Sequence, residues 1–144
     1  MRPASPGADL VVQSFELAAA RCPDLTPLVY DKLFQTHPET RTMFRAEAGN
    51  VVKGSMLQMA LEAILDFVGE RKVGFRMIAC EVQSHDSYGT SPELFRGFFV
   101  VIVATLRELL ADDWSPAIDA AWRETLDELN RYIDAALAGG RSPP

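Results

Sequence analysis

The stretch VQSHDSYGTSPELF, residues 82–95, joins the end of one predicted helix to the start of the next and contains one of the two histidines of the chain. The helix that ends here is predicted over about residues 73–86. Its apolar face has spacings of three, four and three residues and consists of Phe75, Ile78, Val82 and His85. A histidine on such a face is either a boundary residue with an ordinary hydrogen bond or a metal ligand, and the rest of the sequence has to distinguish these.

The remainder of the chain also reads as helices, with no stretch that alternates long enough to predict a strand. The predicted helices cover about residues 9–21, 26–36, 51–69, 73–86, 91–111 and 115–138, with a short helical turn at 38–44. Asp9 and Thr26 are the predicted N-caps of the first two helices, and Gly139-Gly140 is predicted to end the last one. This order predicts an all-α fold packed at crossing angles.

One domain is expected from a length of 144 residues, and we place it at residues 9–138 between flexible tails at 1–8 and 139–144. A net charge of -6 argues against a nucleic-acid partner. No apolar run is long enough to span a membrane, and the start MRPASPGAD has no apolar signal core. We therefore expect a cytoplasmic protein that has neither nucleic acid nor membrane as a partner.

The cysteines and histidines limit the metal chemistry that can be expected. Cys22 and Cys80 have no C-x-x-C spacing, so reduced thiols are predicted, and no C-x-x-C-H motif for covalent haem is present. His37 is the other histidine and precedes Pro38 in a turn expected to be exposed. His85 has no second ligand at helical or loop spacing, which argues against zinc. A single histidine suffices when a haem macrocycle supplies the other ligands.

Four motifs, in order, resemble the globin family, most closely the single-domain bacterial globins and the globin domain of flavohaemoglobins. They are VYDKLFQTHPETRTMF (29–44), KGSMLQMALEAI (53–64), HDSYGTSPELF (85–95) and AAWRETLDELNRYI (120–133). The resemblance covers nearly the whole chain. It implies a globin fold of about seven helices around a haem pocket, with haem b (iron protoporphyrin IX) bound non-covalently.

The same resemblance assigns individual residues to the haem pocket. His85 stands at the position of the proximal iron ligand, and either Ser84 or the carbonyl of Glu81 could fix its tautomer. Tyr30 stands at the distal tyrosine position, where its O–H would donate a hydrogen bond to a bound gas. Phe44 stands where the family stacks a ring on the porphyrin. The other predicted haem contacts are Leu57, Val82, Tyr88, Phe95 and Phe99.

Lys53 takes the position that the family usually gives to histidine or glutamine. Its expected behaviour is to bury its stem and carry the ammonium to solvent or to a haem propionate. The alternative is a neutral lysine that binds the iron as a sixth ligand, which needs a strongly lowered pKa.

Two departures from the relatives bear on function. Phe95 stands where flavohaemoglobin-type globins have a tyrosine, and Leu137 stands near their glutamate on the last helix. A less electron-donating proximal histidine would disfavour O–O cleavage. We therefore expect reversible binding of O2, NO or CO, with oxygen binding and transport as the first interpretation. The alternatives are nitric oxide dioxygenation with an external reductase, gas or redox sensing, and an interaction module without haem. The oligomeric state is not predicted.

Overall fold

Six α-helices build the domain in a computed structural model, which describes residues 7–44, 49–69, 76–87 and 90–141. The helices are α1 (Ala8–Arg21), α2 (Thr26–Thr36), α3 (Gly49–Val68), α4 (Arg76–Ser87), α5 (Pro92–Leu110) and α6 (Pro116–Arg141). Two 3₁₀ helices cover Pro38–Phe44 and Ala111–Asp113. No strand occurs within the described ranges, and the all-α prediction is confirmed. None of the helices described is long and apolar enough to cross a membrane.

The first helix begins earlier than predicted, because Gly7 rather than Asp9 is its N-cap. Gly7 has φ +81° and accepts hydrogen bonds from the N–H groups of Leu10 and Val11. A Cβ at Gly7 would lie 3.0 Å from Cβ of Ala121, so the start of α1 packs closely on α6. Asp9 instead lies in the first turn, where its negative charge interacts favourably with the positive end of the helix dipole.

Thr26 is likewise not the cap of α2. The N-cap is Leu25, and the N–H of Thr26 donates to a carboxylate oxygen of Asp24 at 3.0 Å. Because hydrogen bonds with Thr26 favour the ionised form, the pKa of Asp24 is lowered. The chain thus uses an acidic side chain two residues earlier to satisfy the start of α2.

The last helix continues to Arg141, so the prediction that Gly139-Gly140 ends it is wrong. A glycine inside a helix costs about 1 kcal/mol relative to alanine, which weakens a helix without stopping it. The nearest residue that would stop it is Pro143.

Trp122 of α6 anchors the core on the side of α1. Its ring is 1% exposed and packs edge-on against Phe15 at a centroid distance of 5.4 Å. The indole Nε1–H donates to Oγ of Ser14 at 2.9 Å, and this hydroxyl donates to the carbonyl of Val11 at 2.6 Å. A buried indole N–H therefore has a buried partner, and that partner links α1 to α6.

α5 contacts both α1 and α2, and the 3₁₀ helix 38–44 follows directly from α2. His37, at this junction, was predicted to be exposed but is half-buried, because its ring packs against Gly97 of α5. A Cβ at Gly97 would lie 3.0 Å from Nε2 of His37. The carbonyl of His37 accepts hydrogen bonds from both the N–H (2.9 Å) and the hydroxyl (2.7 Å) of buried Thr40. The residue that packs on Gly97 is thus also the one that holds Thr40.

We predict that Ser14→Ala lowers the free energy of unfolding by about 1–3 kcal/mol, because it leaves the Trp122 N–H buried without an acceptor. Urea unfolding followed by far-UV circular dichroism measures this. Ser55→Ala, at an exposed serine of α3, is the matched control and should change stability by less than about 0.5 kcal/mol. Equal effects of the two substitutions would contradict the role of Ser14.

Candidate functional site

An apolar cavity of about 280 Å³ lies between α3 and α4, with α5 along its third side. From α3 it is lined by Met56, Met59, Ala60 and Ala63; from α4 by Met77, Ile78, Glu81 and His85; and from α5 by Leu94, Phe95, Phe98 and Phe99. Leu33, Thr40 and Thr90 complete the lining. The cavity therefore has apolar walls and a few polar groups, as small-molecule sites do.

His85 brings a ring nitrogen to the wall of this cavity. Its Nδ1 lies 2.8 Å from the carbonyl oxygen of Glu81, one helical turn earlier. A carbonyl oxygen only accepts hydrogen bonds, so Nδ1 carries a proton, and in the neutral imidazole Nε2 then keeps its lone pair. Within the described residues Nε2 has no hydrogen-bond partner. Ser84 and the Glu81 carbonyl were the two groups predicted to fix the tautomer of His85. It is the carbonyl that lies at hydrogen-bond distance from Nδ1.

Phe95 holds the ring of His85 from the side of α5. The two ring centroids are 5.4 Å apart at an interplanar angle of 62°. Edge-on contacts connect Phe95 to Phe99 at 5.6 Å and Phe99 to Phe98 at 6.5 Å, and a tilted contact connects Phe98 to Tyr30 at 5.7 Å. A continuous row of rings on α5 therefore connects His85 with Tyr30.

The side chains that line the cavity can supply one bond to a metal ion. In the part of the chain that the structure describes, no three His, Cys, Asp or Glu side chains come together as a metal-binding group. His85 offers a single neutral imidazole nitrogen, which is what an iron held by a macrocycle needs from a protein.

A sequence profile of the globin family matches residues 28–133, which is well over half of the chain. The chain is a globin. Members of this family bind haem and diatomic gases, so the cavity between α3 and α4 is the candidate haem pocket of this globin.

The size of the globin cavity agrees with haem only if its walls adapt. A volume of about 280 Å³ is just below the roughly 300–1,000 Å³ typical of small-molecule sites. Met56, Met59 and Met77 line it, and unbranched methionine side chains change conformation easily. Met59 is also 38% exposed and so stands where the cavity meets solvent. The chemistry of the lining and the single histidine fit haem, with room gained by methionine movement.

Tyr30 is buried, at 2% exposure, but it does not line the cavity. Its hydroxyl donates to the backbone carbonyl of Lys53 at 3.1 Å, and its ring lies against those of Phe34 and Phe98. Since Phe98 does line the cavity, Tyr30 lies directly behind the cavity wall. Burial raises the pKa of Tyr30 well above its ordinary value of 10.0.

Lys53 lies beside Tyr30 at the start of α3. Its Nζ is 5.2 Å from the ring centroid of Phe34 and 5.8 Å from that of Tyr30. Arg41 stands over the same Phe34 ring at 5.4 Å. Cations in these positions are attracted to the ring faces. The stem of Lys53 is half-buried, and its ammonium group is directed to the aromatic pair.

The remaining predicted contacts divide into three groups. Phe95 and Phe99, two of the predicted haem contacts, line the cavity. Leu57 and Val82 are buried but lie outside the lining, and Leu57 faces a second cavity near α1. Tyr88 and the side chain of Phe44 lie outside the described residues, and their contacts with haem stay predictions.

The cavity-facing residues of α3 were not among the predicted haem contacts. Met56, Met59, Ala60 and Ala63 repeat at i, i+3, i+4 and i+7, the spacing of one helix face. The predicted contacts on this helix, Lys53 and Leu57, lie four residues apart on a neighbouring stripe. α3 is apolar around much of its circumference, so both stripes fit its pattern. The methionine content of the first stripe was the signal that could have distinguished it.

We predict that alkaline pH weakens the fold through Tyr30. The folded chain keeps the phenol proton at pH values where the unfolded chain has lost it, so unfolding releases a proton. The free energy of unfolding therefore falls as pH rises above the ordinary value of 10.0. Urea unfolding midpoints measured from about pH 8 to about pH 11 should fall less steeply in Tyr30→Phe than in the wild type. Parallel pH profiles would show that Tyr30 makes no such contribution.

Proposed function

We propose that this globin binds haem b non-covalently through Nε2 of His85 and reversibly binds dioxygen or another diatomic gas beside α3. The observation that supports this most directly is the hydrogen bond from Nδ1 of His85 to the Glu81 carbonyl, because it leaves Nε2 of a cavity-lining histidine as the nitrogen that can bind a metal. When bound, haem would supply the iron atom to which the gas binds.

The residues around the cavity would hold and protect such a group. The ring of Phe95 packs against His85 and restricts its rotation. The methionine and alanine side chains of α3, together with the phenylalanine rings of α5, are apolar and would disfavour water around a bound haem. Exclusion of water suppresses side reactions such as proton entry, which favours reversible binding over turnover.

We propose Tyr30 as the residue that stabilises the bound gas by a hydrogen bond. Its burial removes competition from water, and its ring is one aromatic contact away from the cavity. The hydroxyl has a single proton, which it donates to the Lys53 carbonyl, so it has to leave this acceptor to reach a ligand. Lys53 stays the proposed partner of a haem propionate, which its ammonium group would reach by turning away from the ring of Phe34.

Reversible binding is favoured over nitric oxide dioxygenation by the surroundings of His85. Phe95 presents a hydrocarbon ring where a tyrosine hydroxyl could have bonded to the histidine. Leu137 on α6 has no charge to offer it. Rapid loss of the oxygenated spectrum on mixing with nitric oxide, followed by re-reduction with an external reductase, would favour the enzyme instead. We also propose that the protein acts in the cytoplasm and that it is related to the single-domain bacterial globins.

We predict that His85→Ala changes the visible spectrum of the haem-loaded protein. Wild-type protein mixed with haemin should show a Soret band and, after reduction, a spectrum that responds to carbon monoxide. Loss of the iron ligand should weaken haem binding by more than about tenfold, since even outer partners of metal ligands contribute that much. His37→Ala is the matched control, because it removes the other histidine and leaves His85 in place.

The spectrum also tests the alternative of an interaction module without haem. If the wild type takes up no haem, this alternative is favoured. If His85→Ala and the wild type give the same spectrum, the iron is bound elsewhere and the proposal is wrong.

We further predict that Tyr30→Phe accelerates oxygen dissociation by roughly 2- to 10-fold, because one hydrogen bond contributes about 0.5–1.5 kcal/mol. Stopped-flow displacement of oxygen by carbon monoxide measures the rate. Tyr132→Phe provides the control, since that ring packs against Phe67 rather than Phe98. An unchanged rate in Tyr30→Phe would leave the tyrosine with a structural role at the Lys53 carbonyl.

A further inference from the structure

We propose that the side-chain carboxylate of Glu81 is a positioning residue that sets how strongly His85 donates electrons to the iron. This inference rests on the proposed function, in which Nε2 of His85 binds a haem iron. In this proposal one helix, α4, carries both the metal ligand and the charge that adjusts its electron donation.

The geometry gives Glu81 two separate contacts with one nitrogen. The backbone carbonyl oxygen of Glu81 is 2.8 Å from His85 Nδ1, and the carboxylate Oε2 is 3.5 Å from the same atom. The two residues are one helical turn apart, so both contacts come from within α4. Glu81 also lines the cavity, and its side chain is 34% exposed.

The two contacts have different effects on the ring. The carbonyl fixes the tautomer, because it accepts the Nδ1 proton. The carboxylate adds a full negative charge next to that proton, which makes Nε2 a stronger electron donor. Partial exposure screens this charge without removing it, since the carboxylate also faces the apolar cavity. A stronger donor stabilises ferric over ferrous iron and strengthens the bond from iron to histidine.

The proposal gives this globin a modest polarisation of its histidine by a carboxylate at 3.5 Å, weaker than the direct hydrogen-bonded push that promotes O–O cleavage, so reversible binding stays the favoured function. Phe95 contacts the imidazole with a ring edge, and Leu137 has no polar group. In the described residues Glu81 provides the carboxylate within 4.0 Å of His85. The carboxylate that flavohaemoglobin-type globins have on their last helix has a counterpart here one turn away from the histidine, on α4.

The test uses Glu81→Gln in the haem-loaded, full-length protein. Glutamine keeps the shape and helix preference of the side chain, and the backbone carbonyl is unaffected, so only the charge is removed. We expect the iron–histidine stretching band of the ferrous protein, measured by resonance Raman spectroscopy, to move to lower frequency. The ferric/ferrous midpoint potential should become more positive. Glu81→Ala should give the same two shifts and serves as a second variant.

Glu124→Gln is the charge-matched control, because it removes one negative charge from an exposed site on α6 outside the cavity lining. It should leave both readouts at their wild-type values. If Glu81→Gln binds haem through His85 but both readouts match the wild type, the inference is overturned and the proposed function stands. If the wild type shows no iron–histidine band and no dependence on His85, the proposed function fails and the inference fails with it.

Discussion

The hydrogen bond between Nδ1 of His85 and the carbonyl of Glu81 determines what this cavity can do. It is made within one helix, so it forms as soon as α4 forms and needs no distant partner. A carbonyl oxygen has two lone pairs, and one can remain in the helical ladder while the other accepts the imidazole proton. The orientation of the candidate metal ligand is therefore set first within α4, and Phe95 of α5 restricts it further.

α5 provides much of that space and connects the two sides of the pocket. Its phenylalanines at 95, 98 and 99 are in ring-to-ring contact from the histidine to the buried tyrosine of α2. Such contacts prefer edge-on geometry, which restricts each ring by its neighbour. A packed row of rings therefore connects His85 with Tyr30.

The fold could be predicted from the sequence because helix starts and stops are local. Ser91-Pro92 starts α5 as predicted, and the Ser91 hydroxyl accepts the N–H of Leu94. The errors occurred where a tertiary contact or a neighbouring side chain decides the boundary, as at Gly7 and Asp24. The place of His85 on the apolar face of α4 was predictable, because helical spacing alone puts it beside Ile78 and Val82. The rotation of α3 was not, because Met56 and Leu57 are both apolar and only packing decides which one faces the cavity.

The contact between Gly97 and His37 has a consequence for how the volume of the pocket can evolve. No side chain fits between α5 and the imidazole, and that imidazole belongs to the residue whose carbonyl holds Thr40 in the cavity lining. A residue with a side chain at position 97 has to displace that imidazole, which belongs to the residue that holds Thr40 by two hydrogen bonds. Substitution at position 97 is thus expected to alter the shape of the cavity without changing any residue that lines it.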